Sequence, residues 1–206
     1  MTRLIFWRHG QTDFNAAARV QGQYDAALSH LGRAQAAAAA KRLAAIGPDA
    51  IYSSDLQRAA DTAAALARET GLPVTFDERL RERHFGEWQG KLLSDIRQRW
   101  PSAFARWQAG EPVTDVGIEE LSDVAKRVAA AVHEFVAAAP PTATIVVTTH
   151  GGAAKHGAGA VLGWPPEVTR VVVGLDNCHW TELVFGQVRG WQLRAHNVGV
   201  EPDRAR

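Results

Sequence analysis

The chain has 206 residues, of which 46% are hydrophobic and 22% charged, and its formal net charge is +1. This length suits one domain, or one domain with an inserted cap, and this composition excludes a disordered or collagen-like chain. A charge this close to zero gives no long-range field that would attract nucleic acid or a membrane surface. No apolar run is long enough for a membrane span or a signal peptide, so we expect a cytoplasmic protein.

Apolar runs, helix-forming stretches and breaker residues predict alternating strands and helices. In chain order the predicted elements are a strand at Leu4–Trp7, a helix at Ala34–Ile46, a strand at Ala50–Tyr52, a helix ending near Glu69, a strand at Val74–Phe76, a helix at Leu92–Trp107 interrupted at Pro101, a helix at Leu121–Val136, a strand at Thr144–Thr148, a small-residue helix ending near Gly163, and a hairpin of His179–Phe185 and Trp191–Ala195. Ser54 and Gln57 have the spacing of a capping box at the start of the second helix.

This alternation predicts an α/β three-layer sandwich with a mostly parallel central sheet and an antiparallel edge. We expect residues 1–206 to form a single domain. The segment of about 86–118 contains Gly, Pro and Trp but has weak periodicity, and we expect it to be a small helical cap inserted over a site.

Two histidines follow predicted strands, and each is followed by glycine: His9 after the first strand and His150 after the strand at 144–148. The crevice beyond the carboxyl ends of parallel strands is the usual ligand site of an α/β sheet, so both imidazoles are expected there. Arg8 precedes His9, and Arg58 lies at the start of the helix after the second strand. Guanidinium groups match phosphate oxygens, and helix N-termini add N–H donors, so the sequence predicts an anion-selective pocket.

Such a pocket suits phosphoryl transfer to a histidine. Surrounding cations keep an imidazole neutral and therefore nucleophilic. Arg8, Arg58 and His150 would stabilise the charge on the transferred group, so no divalent metal or other cofactor is expected. Glu82, which follows the third strand, is the best-placed carboxyl to protonate the leaving group and then activate water, in competition with Glu78 and Glu87.

Four blocks in this chain resemble the histidine phosphatase (phosphoglycerate mutase-like) superfamily, in that family's order and over almost the whole chain. They are Leu4–Thr12, Ser53–Ala59, Leu80–Gly90 and Thr149–Gly152. The resemblance implies His9 as the phospho-accepting nucleophile and Glu82 as the proton donor. It also implies Arg8, Arg58 and His150 as phosphate ligands, assisted by Asn15 and the amide of Gly151.

A finer resemblance is to the actinobacterial glucosyl-3-phosphoglycerate phosphatases, and it implies that substrate. The blocks that carry it are Arg8–Asn15, Arg19–Gln23 and Asn177–Thr181. It implies that Gln21 and Gly22 lie on a loop near the substrate. The segment Gly117–Glu120 departs from the Gly-Gly-Glu-Ser of many members, and we expect it to shape the pocket rim.

A metal-independent phosphomonoesterase is thus the leading prediction. The alternatives are a phosphoglycerate mutase and a non-catalytic protein that binds a phosphorylated ligand.

No histidine pair has a zinc-site spacing. Lys126 and Arg127 are expected on a solvated helix face, and Cys178 is expected to be a small buried residue. The closing hairpin leaves a sheet edge on which a homodimer could form.

Overall fold

A computed structural model describes residues 1–200 and contains six strands. They are β1 (Thr2–Arg8), β2 (Ala50–Ser53), β3 (Val74–Phe76), β4 (Thr144–Thr149), β5 (Trp180–Gly186) and β6 (Gly190–Val198). They form one sheet in the order β3-β2-β4-β1-β5-β6. The first four of these neighbours pair in parallel, whereas β5 and β6 are antiparallel. The predicted mostly parallel sheet with an antiparallel edge is confirmed.

Within the described residues, eight α-helices connect and cover the strands. They are α1 (Asp13–Ala16), α2 (His30–Ala44), α3 (Gln57–Thr70), α4 (Leu93–Arg99), α5 (Pro101–Ala109), α6 (Leu121–Ala138), α7 (Gly151–Val161) and α8 (Pro166–Val171). Gly71, with φ of +73°, ends α3, and Pro101 separates α4 from α5 as predicted. The short helices α1 and α8 were not predicted.

The sheet lies between two helical layers because alternate residues of β1 point to opposite faces. Leu4 and Phe6 pack with α6 and α7, whereas Ile5 and Trp7 pack with α2 and α3. All four side chains have no solvent exposure. The central strand is therefore fixed from both faces, which fixes the position of whatever follows it.

The segment of 86–118 has a hydrophobic cluster of its own, centred on the fully buried Trp88 and Ile96. Phe104 and Trp107 stack around Trp88, with ring centroids 6.2 and 5.9 Å away. Its description as a cap inserted into a single domain of 1–206 remains a prediction, and residues 201–206 lie outside the described part. Within residues 1–200 no helix is long and apolar enough to cross a membrane.

The predicted capping box at Ser54 is wrong. The N-cap of α3 is Leu56, and no side chain caps it. The Ser54 hydroxyl accepts from the amide of Leu56, two residues on, and Gln57 bonds to Asp61 instead. Ser54 is fully buried, and its hydroxyl has a partner elsewhere in the chain.

Candidate active site

The sheet register brings the two strand-end histidines together. Arg8 pairs with Thr149 across β1 and β4, so His9 and His150 follow at the same edge. Their ring centroids are 5.2 Å apart in an edge-to-face arrangement. Both side chains are buried: His9 is 3% exposed and His150 is 0% exposed. The predicted crevice at the carboxyl ends of the strands therefore has two imidazoles in its floor.

Hydrogen bonds fix the tautomer of His9. Its Nδ1 lies 2.7 Å from the carbonyl oxygen of Gly10, which can only accept, so Nδ1 carries the proton. Its Nε2 accepts a hydrogen bond from Nε of Arg58 at 3.2 Å. Burial lowers the pKa of His9 well below its ordinary value, and the charges of Arg58 and Arg8 lower it further. His9 is thus a neutral imidazole with its lone pair at Nε2.

His150 is held from one side only. Its Nε2 lies 2.9 Å from Oγ of Ser54, and its buried Nδ1 has no hydrogen-bond partner. Burial, followed by the charges of Arg58 and His9, lowers the pKa of His150 well below its ordinary value. A neighbouring anion would counter these charges and give Nδ1 an acceptor.

Two guanidinium groups complete the floor. Arg58 is 1% exposed and also donates to the carbonyl oxygens of Tyr24 and Gly22, at 2.8 and 2.6 Å. Burial lowers its pKa to about 10, so it remains a cation at neutral pH. Arg8 donates to the carbonyl oxygen of Leu175 through Nη1, and its buried Nε has no partner.

Unpartnered donors are rare in the described residues and concentrate at this site. Four buried side-chain nitrogen or oxygen atoms within 1–200 have no hydrogen-bond partner, and two of them are Nε of Arg8 and Nδ1 of His150. Leaving such a group unpaired costs about 1–3 kcal/mol. An anion with several acceptor oxygens would pair with Nε of Arg8, and with Nδ1 of His150 in the tautomer in which Oγ of Ser54 donates to Nε2.

Glu82 lies at the N-terminus of α7, where backbone amides hold it. Its Oε2 accepts from the amide of Gly152 at 2.9 Å, and its Oε1 accepts from Ala153 at 3.0 Å and Arg83 at 2.8 Å. A Cβ atom at Gly152 would lie 2.6 Å from Oε1, so glycine is required for this approach. The three amides therefore fix the place of the Glu82 carboxyl group at this end of α7.

Comparison with known proteins decides the family. The model of the histidine phosphatase superfamily (branch 1) matches residues 4–199. The chain belongs to the histidine phosphatase superfamily.

Relatives within the superfamily match almost end to end. The glucosyl-3-phosphoglycerate phosphatase of Mycolicibacterium vanbaalenii is 43% identical over 97% of this chain and 96% of its own. A structure of the mycobacterial glucosyl-3-phosphoglycerate phosphatase with VO3 is 42% identical, with a TM-score of 0.88 over 96% of this chain and 99% of that one. The metal-independent phosphoserine phosphatase of Arabidopsis thaliana is 35% identical over 74% of this chain and 65% of its own. The predicted resemblance is confirmed, and so is the histidine phosphatase fold.

Among the further site residues predicted for this superfamily member, Asn15 and Gln21 form one polar cluster. Oδ1 of Asn15 accepts from the amide of Thr12 at 3.0 Å and from Nδ2 of Asn177 at 3.4 Å. Oε1 of Gln21 lies 2.9 Å from Oγ1 of Thr12. With both side-chain oxygens engaged, the amide nitrogens of Asn15 and Gln21 remain as donors.

The two predicted glycines differ in what they contact. Gly22 has φ of +54°, and its carbonyl oxygen accepts from Arg58, so it holds a floor residue through its backbone. Gly151 starts α7, and a Cβ there would lie 3.4 Å from Nε of Arg8. Gly10, the glycine that follows His9, permits packing against α2, because a Cβ there would lie 2.4 Å from the carbonyl oxygen of Gly32.

Sequence reasoning missed three residues of this site. Ser54 was assigned to a helix cap but contacts His150. Asn177 was quoted only within a motif, yet its Nδ2 donates to the carbonyl oxygen of His9 at 3.2 Å. Arg127 was expected on a solvated face, and that prediction is wrong: its side chain is 20% exposed and paired with Glu119.

In the part of the chain that the structure describes, no three His, Cys, Asp or Glu residues are grouped to hold a metal ion.

Proposed function

We propose that the protein hydrolyses a phosphoric monoester of a small metabolite through a phosphohistidine on His9. The observation that carries the proposal is the floor of the site. There, a neutral imidazole whose Nε2 lone pair accepts a hydrogen bond from Arg58 lies near two buried nitrogen atoms that have no partner. A phosphoryl group brings the three oxygens and the electrophilic centre that this arrangement accommodates.

In the first half of the reaction, Nε2 of His9 attacks phosphorus and the P–O bond to the alcohol breaks. Arg58 gives up its hydrogen bond to Nε2 and, with Arg8 and His150, binds the equatorial oxygens of the transferred group. The leaving oxygen takes a proton from the carboxyl of Glu82. For this step Glu82 must be protonated, so its bonds to the α7 amides have to loosen when substrate binds.

In the second half, water attacks phosphorus and the bond to Nε2 breaks. Glu82, now a carboxylate again, takes a proton from the attacking water. Inorganic phosphate leaves, and His9 returns to the neutral form that burial and the two arginines favour. The floor residues themselves supply the positive charge, so we propose that no metal ion or other cofactor takes part.

We propose glucosyl-3-phosphoglycerate as the substrate. The support is the name shared by relatives that are 42–43% identical over 97% of this chain. Asn15, Gln21, Gly22 and Gly151 are the residues we propose to contact substrate at or near the phosphoryl group. We further propose a cytoplasmic enzyme that binds neither nucleic acid nor membrane, supported by its net charge of +1. A homodimer remains a prediction.

The test is phosphate release in excess chelator from p-nitrophenyl phosphate, 3-phosphoglycerate, phosphoserine and glucosyl-3-phosphoglycerate. We expect activity that the chelator does not affect, highest kcat/KM on the glucosyl ester, and background rates for His9→Ala. His133→Ala, which removes an exposed histidine of α6, is the matched control and should behave as wild type.

Full activity in His9→Ala, or loss of activity with chelator, would overturn the proposal. Isomerisation of phosphoglycerates that depends on added bisphosphoglycerate, with little phosphate released, would identify a mutase instead. Saturable binding of these esters without turnover would indicate a binding protein.

A further inference from the structure

Arg127 lies on the polar side of α6, where its side chain forms an ion pair with Glu119. Its Nε and Nη2 donate to Oε1 and Oε2 of Glu119 at 2.7 and 3.0 Å, the paired geometry that a guanidinium and a carboxylate favour. The two side chains are 20% and 18% exposed. A pair this well buried and this well aligned is more than a surface contact.

The remaining donors of Arg127 all go to one backbone segment. Nη1 donates to the carbonyl oxygens of Arg79 and Arg81 at 2.8 and 2.6 Å, and Nη2 donates to the carbonyl oxygen of Glu82 at 3.0 Å. Together with the ion pair, these bonds use all five N–H groups of the guanidinium. A lysine has three donors on one atom and cannot reproduce the set.

Glu119 holds the same segment from its other end. Its Oε2 accepts from the amide of His84 at 2.9 Å, and its carbonyl oxygen accepts from Nε of Arg83 at 2.6 Å. Its own amide donates to the carbonyl oxygen of His84 at 2.9 Å. The pair of Arg127 and Glu119 therefore binds the chain on both sides of Glu82.

Residues 81–84 belong to no helix or strand, so side chains must hold this backbone. Besides Arg127 and Glu119, Nε2 of Gln23 donates to the carbonyl oxygen of Glu82 at 3.1 Å, and Arg81 pairs with Asp55. Arg127 supplies three of the bonds to backbone carbonyl oxygens in this stretch. The position of the Glu82 carboxyl depends on this backbone, and a displacement of about 1 Å at a catalytic group costs on the order of 100-fold in rate.

We propose that Arg127 is a positioning residue, which sets the place of Glu82 through the carbonyl oxygens of residues 79, 81 and 82 with Glu119 as its anchor. This rests on the proposed function, in which Glu82 is the acid. Arg127 contacts no reacting atom, but its charge also lowers the pKa of His150 in the floor. A substitution that keeps the charge and removes the hydrogen bonds therefore isolates the step that needs Glu82.

The test compares kcat/KM for an aryl ester, p-nitrophenyl phosphate, with that for an alkyl ester, 3-phosphoglycerate. kcat/KM covers the steps up to release of the alcohol, and a nitrophenolate leaves without a proton whereas an alkoxide does not. For Arg127→Lys we expect about a 100-fold loss on the alkyl ester and less than about a 3-fold loss on the aryl ester. Lys126→Gln, on the same helix with 77% of its side chain exposed, should leave both values unchanged.

A second comparison separates positioning from general loosening of the fold. In a Glu82→Gln background, Arg127→Lys should cause no further loss on the alkyl ester, because the group that it positions is already gone. Equal losses on both esters, or losses that add to those of Glu82→Gln, would overturn the proposal and leave Arg127 a structural residue.

If Arg127→Lys does not fold, Glu119→Gln serves instead. It keeps the shape of the anchor and removes its charge, and we expect the same selective loss on the alkyl ester at about 10-fold. A different result would contradict the proposed function. Phosphate release that persists in His9→Ala would count against the phosphohistidine, whatever the Arg127 variants show.

Discussion

The floor and the wall of the site satisfy their polar groups in opposite ways. The floor is made of the buried His9, Arg58 and His150 and the partly exposed Arg8, and two of its nitrogen atoms are buried without partners. The wall, which is the segment of residues 79–84 with Glu82, has its carboxylate bound by three amides and its backbone bound by Arg127.

This difference separates binding from positioning. Unpaired donors destabilise the free protein and regain their hydrogen bonds when an anion arrives, so the floor is ready to bind. Both oxygens of the Glu82 carboxylate already accept hydrogen bonds, so this group has no unpaired atom for a ligand to satisfy. What the wall contributes is the position of that carboxylate. Substitutions in the floor should therefore weaken both substrate binding and phosphoryl transfer. Substitutions in the wall should slow only the proton transfer to the leaving group.

Arg58→Ala should have the largest effect, because it removes a charge from the floor and three hydrogen bonds that hold His9, Gly22 and Tyr24. We expect kcat/KM on p-nitrophenyl phosphate to fall by at least about 10²–10³ and inhibition by inorganic phosphate to weaken. Arg58→Lys should recover only part of this loss. The control is Arg68→Ala, which removes an exposed arginine of the same helix. If inorganic phosphate inhibited Arg58→Ala as strongly as wild type, the floor would not be an anion-binding site.

Acid should destabilise the floor in a defined range of pH. The folded protein keeps His9 and His150 neutral, whereas in the unfolded chain they take up protons near pH 6.5, so the unfolded state binds more protons. Stability is therefore lost as the pH falls below about 6.5, by up to about 1.4 kcal/mol per pH unit for each histidine. His156, whose pKa burial lowers to about 4, adds to this slope.

Denaturant unfolding at pH 6.5 and 5.5 measures the slope above the range where carboxylates titrate. His150→Ala should reduce the slope by about one histidine's share. An unaltered slope in His150→Ala would mean that the floor does not hold this imidazole neutral.

The smallest effect concerns the turn at Gly22, which contacts both Arg58 of the floor and Gln89 of the segment of 86–118. Gly22 has φ of +54°, and a Cβ there would lie 2.4 Å from Oε1 of Gln89, which itself accepts from the amide of Gln23. We expect Gly22→Ala to lower the free energy of unfolding by about 2 kcal/mol. Gly163→Ala, with φ of +66° and nothing within 4 Å of its Cβ, should cost about 1 kcal/mol through backbone strain alone. Equal losses of unfolding free energy in the two variants would show that the side chain of Gln89 moves aside without an energetic cost.

The floor could be predicted from sequence because its geometry follows from strand ends. Arg8 and His9 end one β-branched or apolar run, and Thr149 and His150 end another, so a parallel sheet brings them together. The helical periodicity of α6 likewise predicted its buried face, with Val124 and Val128 fully buried.

The wall could not be predicted in the same way. Helical periodicity identifies the apolar side of α6 but not which loop crosses its polar side, so Arg127 was placed in solvent. The pattern at Ser54 was interpreted locally, whereas its hydroxyl contacts His150, 96 residues away. Both errors concern side chains whose partners are distant in sequence and lie on irregular backbone.

The place of β1 in the sheet has a consequence for synthesis on the ribosome. β1 emerges before β5, yet one of its edges pairs with β5, and Nε1 of Trp7 bonds to the carbonyl oxygen of Cys178, 171 residues later. At 5–20 residues per second that interval is roughly 10–30 s, during which this edge of an apolar strand has no partner. The strand that carries the proposed nucleophile is thus made well before it is enclosed, so a nascent chain gains this site only once Trp180–Gly186 has emerged.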